Sequence, residues 1–168
     1  STGRVTLSAG SHFTDPHIVC SDSTALVFDR GKTSYSVYNS FVAVHSESLE
    51  FPIVNADMAK NGSFCIVTRS ADYGSAVRVY NSSYELEMVY YKNDYTVSAR
   101  LSENGKFLAV VSLDSSEGES RLSLNVLKVG EDKVYSSAKL AGVLPYDVRF
   151  LSNNRIAVIG NESTSVYD

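Results

Sequence analysis

Two short motifs recur along this chain at nearly the same interval, and that rhythm constrains the fold more than any other feature. The first appears as Ser36-Val37-Tyr38-Asn39, Arg78-Val79-Tyr80-Asn81, Asn125-Val126-Leu127-Lys128 and Ser165-Val166-Tyr167-Asp168, its valines 42, 47 and 40 residues apart. The second runs Ala56-Asp57-Met58-Ala59-Lys60-Asn61-Gly62-Ser63-Phe64. It returns as Ala99-Arg100-Leu101-Ser102-Glu103-Asn104-Gly105-Lys106-Phe107 and as Val148-Arg149-Phe150-Leu151-Ser152-Asn153-Asn154-Arg155-Ile156, offset by 43 and then 49. Two motifs sharing one period mark a repeat architecture. Four units divide 168 residues into 42 each.

Within each unit the local signals are β. Asn61-Gly62 and Asn104-Gly105 supply the positive φ that tight hairpin turns require. The short apolar runs that follow, Phe64-Cys65-Ile66-Val67, Phe107-Leu108-Ala109-Val110-Val111 and Ile156-Ala157-Val158-Ile159, suit strands buried on both faces. Alternating segments such as Ala76-Val77-Arg78-Val79-Tyr80 come next, and no window holds a 3.6-residue period with a cap. Four antiparallel strands per unit of this length make the blade of a β-propeller, whose sheets bury both faces against their neighbours. The fold expected is therefore all-β. It is one propeller segment over residues 1–168, with blades near 16–48, 52–91, 95–141 and 145–168. The last unit lacks a fourth strand. Arg4-Val5-Thr6-Leu7-Ser8 is one candidate to close a ring; otherwise the chain is part of a larger ring or pairs with a second copy. Uncovered end blades would expose faces rich in Val, Ile and Phe, and self-association through them is the outcome favoured.

Composition narrows the function. The net charge is −4 with a pI near 5.4, and the basic residues are scattered singly, which disfavours nucleic acid and a polybasic grip on lipid. Cys20 and Cys65, 45 residues apart in apolar runs, read as free buried thiols, with a disulfide as the alternative. Ser1-Thr2-Gly3-Arg4 is polar with no apolar run behind it, so no signal peptide is read.

Ala25-Leu26-Val27-Phe28-Asp29-Arg30-Gly31, Tyr35-Ser36-Val37-Tyr38-Asn39-Ser40-Phe41, Phe64-Cys65-Ile66-Val67-Thr68-Arg69-Ser70 and Leu101-Ser102-Glu103-Asn104-Gly105-Lys106-Phe107-Leu108-Ala109-Val110 together resemble a family of uncharacterised bacterial WD-repeat-like propellers, mainly of Gram-positive anaerobes. The resemblance implies a longer protein with an N-terminal membrane anchor and a complete ring outside the cytoplasm. It carries no catalytic residues.

None emerges from the residues either. G-x-S-x-G is absent, and the carboxylate pairs Glu85/Glu87 and Glu117/Glu119 define no acid and base. His12-Phe13-Thr14-Asp15-Pro16-His17 reads as a polar turn rather than a metal cage, and His45 as a surface residue. Asp114 to Glu119 lacks the spacing of a calcium loop. Asn61, Asn81 and Asn161 are turn residues. We expect no cofactor, no metal and no catalysis. The candidate interaction face lies at one end of the blades: Asp29, Arg30, Asp72, Tyr73, Tyr91, Asp94, Tyr95, Asp114, Glu117 and Tyr146, with Tyr90 and Glu119 nearby. Aromatics among scattered charge suit a protein partner of unknown identity. The expected role is a non-enzymatic, extracytoplasmic recognition or scaffold module. The alternatives are a lid or substrate platform of a hydrolase, or a small-molecule or glycan binder in the central channel.

Overall fold

The computed structural model describes residues 3, 5, 7, 8, 10, 12–114, 121–131, 133–141 and 144–168. These form four separate antiparallel meanders, which we call blades. Blade 1 holds β1 (Pro16–Cys20), β2 (Ala25–Asp29), β3 (Ser34–Tyr38) and β4 (Ala43–Ser48). Blade 2 holds β5 (Ile53–Met58), β6 (Phe64–Thr68), β7 (Ser75–Tyr80) and β8 (Leu86–Lys92). Blade 3 holds β9 (Tyr95–Leu101), β10 (Phe107–Asp114), β11 (Arg121–Lys128) and β12 (Val134–Leu140). Blade 4 has β13 (Pro145–Ser152), β14 (Arg155–Gly160) and β15 (Thr164–Tyr167). Among the described residues there is no helix, and none long and apolar enough to cross a membrane.

The first strands β1, β5, β9 and β13 touch one another from blade to blade, so they line the inside of the arc and the later strands lie progressively outward. The expected apolar second strands explain the packing. All of β6 is buried, as are Leu108 to Ser112 of β10, because each faces sheets on both sides. Three cores follow, one per junction. Leu26, Phe28, Tyr35 and Val37 of blade 1 meet Phe64, Ile66 and Tyr80 of blade 2. There Phe64 and Tyr80 stack at 4.7 Å and Tyr35 meets both at an angle, with centroids 5.8 and 6.1 Å away, each pair adding about 0.5–1.5 kcal/mol beyond its burial. Gly62 and Gly105 have φ of 88° and 72°, as their Asn-Gly turns demand.

Several expectations change. Cys65 is free and buried, but Cys20 is free and exposed, since no sheet among the described residues lies beside its side of β1. His45 is half-buried rather than superficial. Its ring stacks on Tyr84 at 5.2 Å and lies 3.3 Å from Tyr35 Oη, which donates to Glu47 Oε2 at 2.7 Å. Of the proposed closing strand, Arg4 and Thr6 lie outside the described residues, while Val5, Leu7 and Ser8 belong to no strand. Beside β15, where no fourth strand stands among the described residues, an apolar groove of about 420 Å³ is lined by Val126, Ala138, Phe150, Ile156 and Tyr167. The uncovered end faces are less apolar than expected. Blade 1 presents Ile18 and Val27 with Ser34 and Ser36; blade 4 presents Leu151, Ile159 and Val166, and neither shows a Phe.

Candidate functional site

Loops joining second to third strands, and connections from each blade to the next, emerge at the same end of the arc. Their bracing is built from small residues. A Cβ on Gly74 would sit 2.3 Å from Asn93 O and 2.7 Å from Asp94 O, so only glycine lets the 69–74 loop lie flush against the turn at 93–94. Ser75 Oγ donates to Asp94 O at 2.9 Å, accepts from Thr96 N at 3.2 Å and lies 2.7 Å from Thr96 Oγ1. Lys92 Nζ bonds Asp94 Oδ2 at 2.6 Å, and Ser112 Oγ donates to the same oxygen at 3.4 Å.

On this frame stand exposed tyrosines. Tyr73 and Tyr91 are 44% and 49% exposed with ring centroids 4.9 Å apart, and Tyr95 and Tyr146, near the starts of neighbouring inner strands, are 64% and 65% exposed. Arg30 and Asp72 are exposed as well. Other expected members of the face have different places. Asp29 is buried and accepts Thr14 N at 2.7 Å, Thr14 Oγ1 at 3.0 Å and Asp15 N at 3.0 Å. The Thr14 amide, followed by that of Asp15, holds its carboxyl below the usual range, and its task is to pin the approach to β1. Asp94 is half-buried and ion-paired, so it is part of the brace. Tyr91 lies within β8 rather than between blades, and Asp114 closes β10. Glu117 and Glu119 fall outside the described residues.

The inner wall carries a second cluster that the sequence reading missed. Asp147 Oδ1 accepts Ser98 Oγ at 2.7 Å and pairs with Arg100 Nη2 at 2.8 Å, while Arg149 Nε donates to Asp147 Oδ2 at 2.8 Å. Arg100 also reaches Ala56 O and lies 3.9 Å from Asp57 Oδ1, and Asp57 Oδ2 accepts Leu101 N at 2.9 Å. Blades 2, 3 and 4 are thus stitched by alternating charges. Burial pushes the Asp57 carboxyl up despite the Leu101 amide and the two arginines. For Asp147 burial works in the same direction, but Ser98, Arg100 and Arg149 together outweigh it and hold that carboxyl down. Arg100 Nε is buried without a hydrogen-bond partner among the described residues. A cavity of about 240 Å³ lies alongside, lined by Asp57, Lys60, Arg100, Glu103 and Arg149. The signal was in the repeat itself: Asp57, Arg100 and Arg149 hold one register position in three successive units. Among the described residues no group of three or more His, Cys, Asp or Glu could hold a metal ion.

Radially stacked antiparallel meanders with an inner wall of first strands define a β-propeller, and solved propellers superpose on the chain. Kuenenia stuttgartiensis hydrazine synthase matches at 14% identity and TM-score 0.67, over 94% of this chain and 46% of that one. Kluyveromyces lactis Hsv2 matches at 17% and 0.59, over 84% and 52%. The Myceliophteria thermophila Cps50 (Swd1) β-propeller domain matches at 11% and 0.63, over 85% and 47%. The chain therefore spans about half the length of these structures. Its own family is also defined: residues 1–168 match the family of unknown function DUF5711, and the chain belongs to it. Among curated proteins none matches its sequence.

Proposed function

We propose that this chain is the recognition part of a bacterial, extracytoplasmic scaffold protein, engaging a protein partner through the tyrosine-bearing end of its blades and catalysing no reaction. The observation that carries this reading is the substantial exposure of Tyr73, Tyr91, Tyr95 and Tyr146 at one end of the blades, the first three beside the brace formed by Gly74, Ser75 and Asp94 and Tyr146 at the start of β13. Rigid aromatics bind at low entropic cost, and a preformed frame reduces the ordering that association must overcome. WD40-like neighbours agree with an interaction scaffold in general terms. The bacterial and extracytoplasmic assignments rest on the family resemblance.

The test is quantitative co-purification from the native host with the full protein. A partner captured by wild type should be lost when the four tyrosines become Ala and should return when they become Phe. If no captured protein depends on them, the reading fails. Location is tested separately: with Cys20 changed to Ser and a cysteine placed at Phe41, which is 75% exposed, a membrane-impermeant maleimide should label intact cells. The inner-wall cavity favours a second reading, a small-molecule binder. A glycan that raises Tm in wild type but not in Arg149→Ala would favour it over the first.

A further inference from the structure

The first turns of blades 2 and 3 add a second row of charges to the inner wall. Lys60 and Glu103, each three residues beyond a member of the buried row, pair across the two blades at 2.6 Å. The rows have opposite signs at each step, Asp57 with Lys60 in blade 2 and Arg100 with Glu103 in blade 3. The cavity of about 240 Å³ lies among them, lined also by Met58, Leu101 and Phe150. With Asp147 and Arg149 this part of the wall holds three charges of each sign and sums to zero. Its hydrogen bonding is incomplete. Among the described residues Arg149 donates through Nε alone, so both terminal nitrogens of its guanidinium lack a partner. Lys60 Nζ has one bond, to Glu103 Oε1, and Glu103 Oε2 has none. In the buried row Asp57 Oδ1 meets Arg100 Nε only across 3.9 Å, beyond hydrogen-bond reach.

We propose that this cavity binds a small aliphatic α-amino acid, its carboxylate on Arg149 and Lys60 and its ammonium on Asp57 and Glu103. A lone anion or a lone cation would leave a net charge in a wall that is neutral without it, and partly buried charge is costly unless paired. A zwitterion brings both signs and no net charge. The free end of a guanidinium takes a carboxylate through two parallel hydrogen bonds, and the remaining carboxylate oxygens of the wall accept from an ammonium. Size sets the rest. The volume falls below the about 300 Å³ at which pockets for drug-sized ligands begin, and Met58, Leu101 and Phe150 offer apolar surface to a short side chain. This inference rests on the small-molecule reading of the inner wall, to which it adds the ligand class, and it is independent of the tyrosine face.

L-alanine serves as the probe, with propionate and ethylamine as its halves, since the first lacks the ammonium and the second the carboxylate. In thermal melts and calorimetric titrations of the full protein at neutral pH, L-alanine should raise Tm and bind at least about tenfold tighter than either half. Arg149→Gln and Glu103→Gln alter side chains that are 55% and 54% exposed, so both variants should fold, and each should weaken L-alanine about tenfold. If Arg149→Gln fails to fold, Glu103→Gln decides. Propionate or ethylamine binding as tightly as L-alanine overturns the proposal, because one sign of charge would then suffice. So does L-alanine binding that is unchanged in the variants. A glycan whose effect depends on Arg149, with no response to L-alanine, overturns the ligand class and leaves the small-molecule reading standing. Silence toward both removes the two together.

Discussion

Asp57 and Asp147 occupy one wall with opposite electrostatic consequences. Asp147 has its carboxyl held down in the folded chain, so it contributes stability above the ordinary aspartate range, near pH 3.9, and loses it as pH falls through the depressed value. Asp57 has its carboxyl pushed up, so the fold favours its protonated form, and stability falls as pH rises from about 4 through the raised value. Asp147→Asn should therefore cost about 2–3 kcal/mol at neutral pH, short of a fully buried pair because the side chain is 21% exposed. Asp57→Asn keeps an oxygen for Leu101 N and removes the buried charge. Its Tm at pH 7 should equal or exceed wild type, and the decline with rising pH should flatten. Melts of both variants from acid to neutral pH check the pair; an Asp57→Asn variant that melts lower at pH 7 would show the Arg100 contact to dominate.

At the scale of turns, the linkage between neighbouring repeats becomes measurable. Asn61 Nδ2 donates to Asn104 O at 2.9 Å, joining the first turns of blades 2 and 3, and a Cβ on Gly105 would come within 2.7 Å of that nitrogen. Gly130 has a similar φ of 83° with nothing within 4 Å. Gly130→Ala should therefore cost about 1 kcal/mol for its backbone alone. Gly105→Ala should cost about 1–2 kcal/mol more, because it displaces Asn61. Equal losses in chemical denaturation would show that the link between turns carries no energy. These elements also mark how far sequence reading reaches. Asn-Gly pairs, apolar second strands and the repeat made the meanders legible, because backbone sterics and burial act locally. Asp29 misled the reading because a carboxylate in an Asp-Arg-Gly turn looks solvated until Thr14 and Asp15, about fifteen residues earlier, fold back onto it. The charged wall stayed hidden because Asp57, Arg100 and Asp147 meet only when three blades stack.

For the whole arc, stability should grade from the middle outward, since each blade is supported mainly by its neighbours. Among the described residues, blades 2 and 3 are covered on both faces, whereas β1 is half-exposed and no strand pairs with the outer edge of β15. Native-state hydrogen exchange should be slowest at Ile66 and Val110 and fastest along β15, with opening free energies falling toward both ends. Uniform protection across all four blades would mean that the arc unfolds as one unit.

The inner wall alternates Asp57, Arg100, Asp147 and Arg149, so its formal charges cancel within three blades. Such a lining projects little field along the axis beyond about one Debye length of physiological salt. A charged solute approaching this part of the channel would be neither drawn in nor turned away by long-range attraction, and any electrostatic guidance falls to the loops at the two mouths.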